Sequence, residues 1–389
     1  MLQWERGRVL DVRAPWAGVQ TLRLEVEGVE GEVPALSYPE LLGEIAVGEG
    51  VLVNSNALRR GLGTGGQALV VARTDELPRD AEPHGHMVKA RYTPMQTLVD
   101  ALDDPASPHR EALEQVEDLG GMPVVLADLH SALPAIVAGI RATRPDARIA
   151  YVMSDAAALP AAYSRTVAQL RANGELAACI SSGQAFGGDL EAVTVHSALL
   201  GAKAVVGADV AVVTQGPGNL GTDTTWGFSG IQAAEALHAA TALGGAPIAA
   251  LRVSGADARS RHVGLSHHSA TLLGRAALAP ADIPVPRRHA DAHVAGSARR
   301  NSAEELSVEG QLETAVLRRA LARGVRHRRV EVPAEDLLEV LGGSSVPLRT
   351  MGRGLSEDPA PFVYAAVAGR RAAQVVPSIG TGAEADERD

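Results

Sequence analysis

From residue 86 onward the chain repeats one pattern, an apolar run followed by a polar or glycine-rich break and then a stretch of helical character. Apolar runs at 122–127, 148–153, 176–181, 208–214 and 247–253 alternate with helical stretches at 131–143, 160–173, 190–201, 225–243 and 269–277. A strand that is apolar at nearly every position is buried on both faces. Parallel strands meet that condition when their crossover helices cover the sheet. Short connections of this kind favour right-handed crossovers. The pattern therefore predicts an α/β fold with a mostly parallel, doubly wound, Rossmann-like sheet. Further strands are expected at 283–285 and 329–332. A helix is expected at 308–323, with Glu309 and Glu313 early and arginines late, as the helix dipole prefers.

The first part of the chain reads differently. Short β-forming runs at 8–12, 20–26, 32–36, 50–53 and 67–72 are punctuated by Gly, Pro and Asn. They predict a small β-barrel-like domain over residues 1–80. A glycine-rich connection occupies 54–66, and a proline-containing acidic linker 74–85. The α/β domain is expected to run from 86 to 376, with a polar loop at 290–305 and a disordered tail at 377–389. A length of 389 residues suits this division.

Charge and composition exclude several function classes. The net charge is −10 and aromatic residues make up 3%. An acidic surface repels phosphate backbones, and few rings are available to stack bases. The densest arginine group, between Arg318 and Arg329, reads as a solvated helix face. No apolar run is long enough to span a bilayer, and MLQWERGRVL has no signal-peptide character. Cys179 is the only cysteine and lies in an apolar run, so it reads as a buried small hydrophobe. These features point to a cytoplasmic, bacterial-type protein.

Ligands of parallel sheets bind beyond the carboxyl ends of the strands. Here those ends carry Asp128 and His130, Ser154 and Asp155, 181–189, 215–225 and 254–268. Two are glycine loops that lead toward helices, SSGQAFGGD (181–189) and TQGPGNLGTDTTWG (214–227). Gly216, Gly218 and Gly221 of the second match G-x-G-x-x-G in form. Free backbone N–H groups in such a turn suit a phosphate or carboxylate. Gly216, Gly218, Gly221 and Thr222 are therefore candidate anion or cofactor contacts. Lys89 joins them, because it and Lys203 are the only lysines among 36 basic residues. The alternative is tight strand-to-helix packing, with Asp189 or Thr224 as an N-cap.

SRHVGLSHHSA follows a predicted strand end and places Arg261, His262, Ser266, His267 and His268 together. His267, His268 and Asp223 are the candidate acid/base residues. His84, His86 and Arg91 open the α/β part, lining the same cleft or an interdomain joint. H-E-x-x-H and paired C-x-x-C signatures are absent, so no metal ligand is assigned. A metal-dependent hydrolase would need Asp128, His130 and Asp189 brought to His267 and His268. No G-x-S-x-G elbow or glycosidase-type carboxylate pair is present.

GLGTGG (61–66), HGHMVKARYTPMQ (84–96), TQGPGNLGTDTTWGFSG (214–230), RHVGLSHHSAT (261–271) and TMGRGLSEDPAPF (350–362) together resemble the bacterial domain-of-unknown-function family 3866. The motifs span almost the whole chain, so the resemblance implies a full-length member. It brings no activity. The reading of the residues thus leads to a small-molecule enzyme or binding protein for an anionic, phosphate-bearing ligand. The alternatives are a regulatory or scaffold protein whose β domain binds a partner, and the metal-dependent hydrolase. No cofactor is identified. The partners considered are a small anionic ligand and further copies of the chain in a homo-oligomer, with neither nucleic acid nor membrane expected.

Overall fold

A computed structural model describes residues 3–62, 65–77, 85–287 and 307–377. The 290–305 loop, the 378–389 tail and His84 lie outside the described residues.

The N-terminal strands are β1 (Trp4–Trp16), β2 (Val19–Val26), β3 (Val33–Ser37), β4 (Gly50–Asn54) and β5 (Ala68–Arg73). They close into a barrel in the order β1-β2-β3-β5-β4, with β3 and β5 parallel. Alternate residues point inward: Leu22, Leu24 and Val26 of β2 meet Val51 and Val53 of β4 in one small core. The barrel docks on the rest of the chain through Trp16. Its Nε1 donates to the Ala162 carbonyl at 2.7 Å, and the Arg165 guanidinium lies 4.3 Å from its ring centroid.

A hairpin of β6 (Met87–Lys89) and β7 (Thr97–Val99) opens the second part. The main sheet follows: β8 (Pro123–Leu126), β9 (Ile149–Ser154), β10 (Ala178–Ser182), β11 (Leu190–Ala192), β12 (Val210–Gln215) and β13 (Ala246–Ala249). Between β13 and the next sheet strand lies a small antiparallel pair, β14 (Val253–Ser254) and β15 (Gly264–Leu265). Then come β16 (Asp282–Pro286) and β17 (Arg328–Val332), and a last small pair, β18 (Arg349–Thr350) and β19 (Arg353–Gly354).

The main sheet is entirely parallel, in the order β11-β10-β9-β12-β8-β13-β16-β17. Successive residues of its strands enter opposite cores. Val124, Leu126, Ala150 and Val152 face one core, while Val125, Ala127, Ile149 and Tyr151 face the other. Helices Val195–Ala204 and Ala233–Ala242 contribute to the first core, and Leu133–Thr143 and Ala360–Gln374 to the second. This two-sided burial is why the strands are so continuously apolar.

Local differences from the sequence expectation have physical causes. The 190–201 stretch begins as strand β11, and its helix starts only at Val195, after Thr194 and Ser197 form a capping box. The 269–277 helix starts at His267 and passes into a π-turn at Leu272–Ala276. The 308–323 helix carries a second π-turn, Glu313–Leu317, and Gly274 lies directly against Ala315 there. Helix Ala360–Gln374 lies outside the helices expected from the sequence.

Candidate functional site

The connection after β8 runs toward β9, on one side of the sheet, while the connection after β12 runs toward β13, on the other. β8 and β12 are neighbours, so the chain departs in opposite directions from adjacent strand ends. That opens a crevice beyond their carboxyl ends, the place where open α/β sheets bind ligands. The crevice is formed by Asp128 and Leu129 after β8, by 215–229 after β12, and by 252–268 after β13. Its floor is tight: a Cβ added to Gly230 would overlap the Asp128 carbonyl.

The histidine segment folds around Ser266. Its hydroxyl caps the helix beginning at His267 by accepting from the His268 N–H, and it contacts His262 Nδ1 at 2.7 Å. The β14–β15 pair closes the loop 255–263, which carries His262. Three imidazoles converge as a result. Ring centroids are 4.9 Å apart for His262 and His267, 5.0 Å for His262 and His268, and 4.5 Å for His267 and His268. One ligand nitrogen from each lies within 4.8 Å of the other two. Phe228 stacks on His268 with centroids 3.9 Å apart.

Asp128 is buried and lies 3.0 Å from His268 Nδ1. Arg252 Nη1 lies 3.0 Å from the same nitrogen and 3.7 Å from the Asp128 carboxylate. A single ring nitrogen cannot donate to one and accept from the other. Burial alone would raise the Asp128 carboxyl. The hydrogen bond from His268 and the charge of Arg252 outweigh burial and hold it below its ordinary value. An ionised Asp128 is an acceptor only, so His268 Nδ1 donates to it. Burial, with Arg252 and Arg259 next, depresses His262 to about 3, and burial, with His268 and then Arg261 next, depresses His267 to about 4. Both are therefore neutral at pH 7.

These groups open onto a cavity of about 240 Å³. Arg252, Arg259, Arg261, His262, His267 and His268 line it from one side, and Asn219, Gly221 and Asp223 from the other. Asp257 holds Arg259 by two contacts of 3.0 Å, and Arg353 at 3.2 Å. Arg261 pairs with the exposed Asp223, and its Nε is buried without a hydrogen-bond partner. Asp223 and Met351, both on the cavity wall, have left-handed backbone at φ 64° and 48°. Aspartate adopts this conformation more readily than most residues, so Met351 is the less usual of the two.

The glycine loop reaches this cavity but folds on itself. The Thr222 N–H donates to the Gly227 carbonyl at 2.8 Å, and the Leu220 N–H to Ser229 Oγ at 3.0 Å. Those donors are engaged within the loop. The Thr222 hydroxyl faces Thr224 and Gly227. Gly216 packs against Ala158, whereas Gly218 adopts φ 94° with open space around its α-carbon. Asn219, which sequence reasoning did not single out, pins the loop by accepting from Gln215 Nε2 at 3.0 Å and from the Gly230 N–H at 3.1 Å.

Other candidates lie elsewhere. Lys89 is buried at the far end of the sheet, with Nζ 2.8 Å from the carbonyls of Gly183 and Ala185 and 3.2 Å from Glu191. Those acceptors, with the Ala192 carbonyl at 3.4 Å, take up all its donors, so Lys89 staples the β6–β7 hairpin to the β10–β11 edge. Lys203 is exposed. The 181–189 loop shares the strand-end edge but lies beyond β9, outside the cavity. His130 turns the other way and contacts the Tyr151 hydroxyl at 3.1 Å and Ser164 at 2.7 Å. Asp189 accepts from Arg171 at 2.8 Å and from the Cys179 N–H at 2.7 Å. Neither joins His267 and His268, so the metal set containing them is not assembled. Burial pushes the Cys179 thiol up, away from nucleophilic use. His86 is exposed and weakly paired with Asp104 at 3.9 Å.

Among the described residues no helix is long and apolar enough to cross a membrane. The model of a family described as a protein of unknown function, DUF3866, matches residues 34–369. No curated protein and no solved structure matches the chain.

Proposed function

The chain belongs to the DUF3866 family, and since membership brings no activity with it, we propose from the site alone that it is a bacterial, cytoplasmic enzyme acting on a small anionic, phosphate-bearing molecule in the crevice beyond β8 and β12. The observation behind this reading is the convergence of Arg252, Arg259 and Arg261 with neutral imidazoles on one concave cavity. Guanidiniums present planar, permanently charged forks that suit phosphate and carboxylate. Arg252 and Arg259 are held in place by the buried carboxylates Asp128 and Asp257. Arg261 differs, because its partner Asp223 is exposed and can be displaced by an incoming anion. A cavity of about 240 Å³ favours a compact ligand.

The imidazoles supply the acid/base function. His268 resembles a general base oriented by a carboxylate: its Nδ1–H donates to Asp128, which holds the ring in place. His267, neutral at pH 7, serves as an acceptor beside it. Asp223 exchanges Arg261 for solvent when the anion binds. The single buried cysteine is consistent with a reducing compartment.

Thermal-shift titration with inorganic phosphate, phosphoglycolate, glycerol phosphate and AMP tests this. At least one should stabilise the protein. Arg261→Ala should keep the unliganded melting temperature and weaken that ligand about 10–100-fold, the cost of losing a charge-assisted contact. No stabilisation by any of the four, or equal affinity in the variant, would overturn the reading.

A further inference from the structure

We infer that His262, His267 and His268 bind a divalent transition-metal ion, with Asp128 and Ser266 as the groups that orient the ligands. Three observations lead there. First, one ring nitrogen from each of the three side chains lies within 4.8 Å of the others. Ligand nitrogens about 2.1 Å from a tetrahedral zinc-type ion sit roughly 3.4 Å apart. Binding an ion therefore draws the three rings inward by side-chain rotation.

Second, the outer nitrogens are already engaged in the way ligating imidazoles require. His268 Nδ1 meets the buried Asp128 carboxylate at 3.0 Å, and His262 Nδ1 meets Ser266 Oγ at 2.7 Å. Each bond occupies Nδ1, so Nε2 is the nitrogen left to ligate an ion. Ser266 also caps the helix that carries His267 and His268, so one serine positions all three ligands.

Third, the donor set and its surroundings are those of an open rather than a closed site. Three imidazoles leave a coordination position unfilled, and that position faces the arginine-lined cavity. Imidazole donors favour zinc, copper, iron or nickel over magnesium or calcium. Each guanidinium beside the ion has a carboxylate partner, Arg252 with Asp128, Arg259 with Asp257 and Arg261 with Asp223. The ion site stands without the anion reading and replaces its acid/base assignment, because an imidazole nitrogen that ligates an ion cannot also accept a proton; the arginine contacts of the anion reading are unaffected.

The test uses the full chain without a histidine tag, purified without chelator and then dialysed against Zn²⁺ or Co²⁺. Elemental analysis should find about one equivalent per chain. The Co²⁺ form should show the visible absorption of four- or five-coordinate cobalt. His267→Ala, whose ring is half-buried, should fold by circular dichroism and lose the bound ion. Asp128→Asn should retain all three ligands yet bind about 10–100-fold more weakly, as removal of an outer-shell partner predicts. Wild-type protein that holds neither ion after dialysis would overturn the inference whatever the variants do. So would folded His267→Ala that retains a full equivalent. Metal content is read without any anion, so failure here is distinguishable from failure of the phosphate titration.

Discussion

His130 and His268 begin from similar positions near strand ends and end in opposite situations. His130 is enclosed between Tyr151 and Ser164, with burial as the main influence, and is depressed to about 4. His268 instead has a carboxylate behind it and a cavity in front. Sequence position exposed the His267–His268 pair as candidates, because a histidine doublet after a strand end is conspicuous. It could not separate His130 from them, since the hydroxyls of Tyr151 and Ser164 arrive from distant positions. Arg252 and Arg259 were hidden for another reason: all but two of the 36 basic residues are arginine, so no single arginine stands out. The His130 environment makes a pH prediction. Its folded pKa lies below the ordinary 6.5, so the unfolded chain binds a proton that the folded chain refuses between pH 6.5 and about 4. The stability is fully present above pH 6.5 and falls as pH drops through that window. By pH 5 His130 alone should cost about 2 kcal/mol. Urea unfolding at pH 7 and pH 5 should show a loss larger by about that amount in wild type than in His130→Gln. Identical losses in the two proteins would show that this ring titrates normally.

Among the elements, the helix pair on the second face shows what periodicity cannot read. Leu133–Thr143 and Ala360–Gln374 approach so closely that a Cβ on Gly139 would overlap the Ala366 carbonyl, and one on Gly369 the Ile136 carbonyl. The glycines are used for contact between backbones rather than for turning the chain. Gly369→Ala should raise intrinsic helix propensity by about 1 kcal/mol and still destabilise the fold, because overpacking typically costs about 1–3 kcal/mol and here meets backbone. Equilibrium urea denaturation measures the balance, and a stabilised variant would mean the helices can separate at little cost. Strand β11 teaches the same lesson. Its residues read as helical in isolation, but Glu191 is drawn to Lys89 and Ser181, and the strand pairs with β10. A partner a hundred residues away in Lys89 leaves no trace in local periodicity. The central strands were legible because burial on both faces imposes a run of apolar residues that nothing else in the chain imitates.

At the scale of the whole molecule, barrel and sheet were both visible in advance: short punctuated β runs gave one, and alternating apolar and helical runs the other. The order of the strands was not, and it is the order that makes the site. Placing β12 between β9 and β8 sends adjacent connections in opposite directions and opens the crevice where Asp128, Asn219, Arg261 and the three imidazoles meet. The central claim is that this crevice, rather than the barrel or its junction with the sheet, receives the ligand. Hydrogen exchange with and without saturating phosphoglycolate tests it directly. The account predicts slowed exchange concentrated in 219–229 and 252–268, with the barrel strands unchanged. Protection confined to the barrel, or to the 85–109 and 187–191 segments beside it, would contradict it.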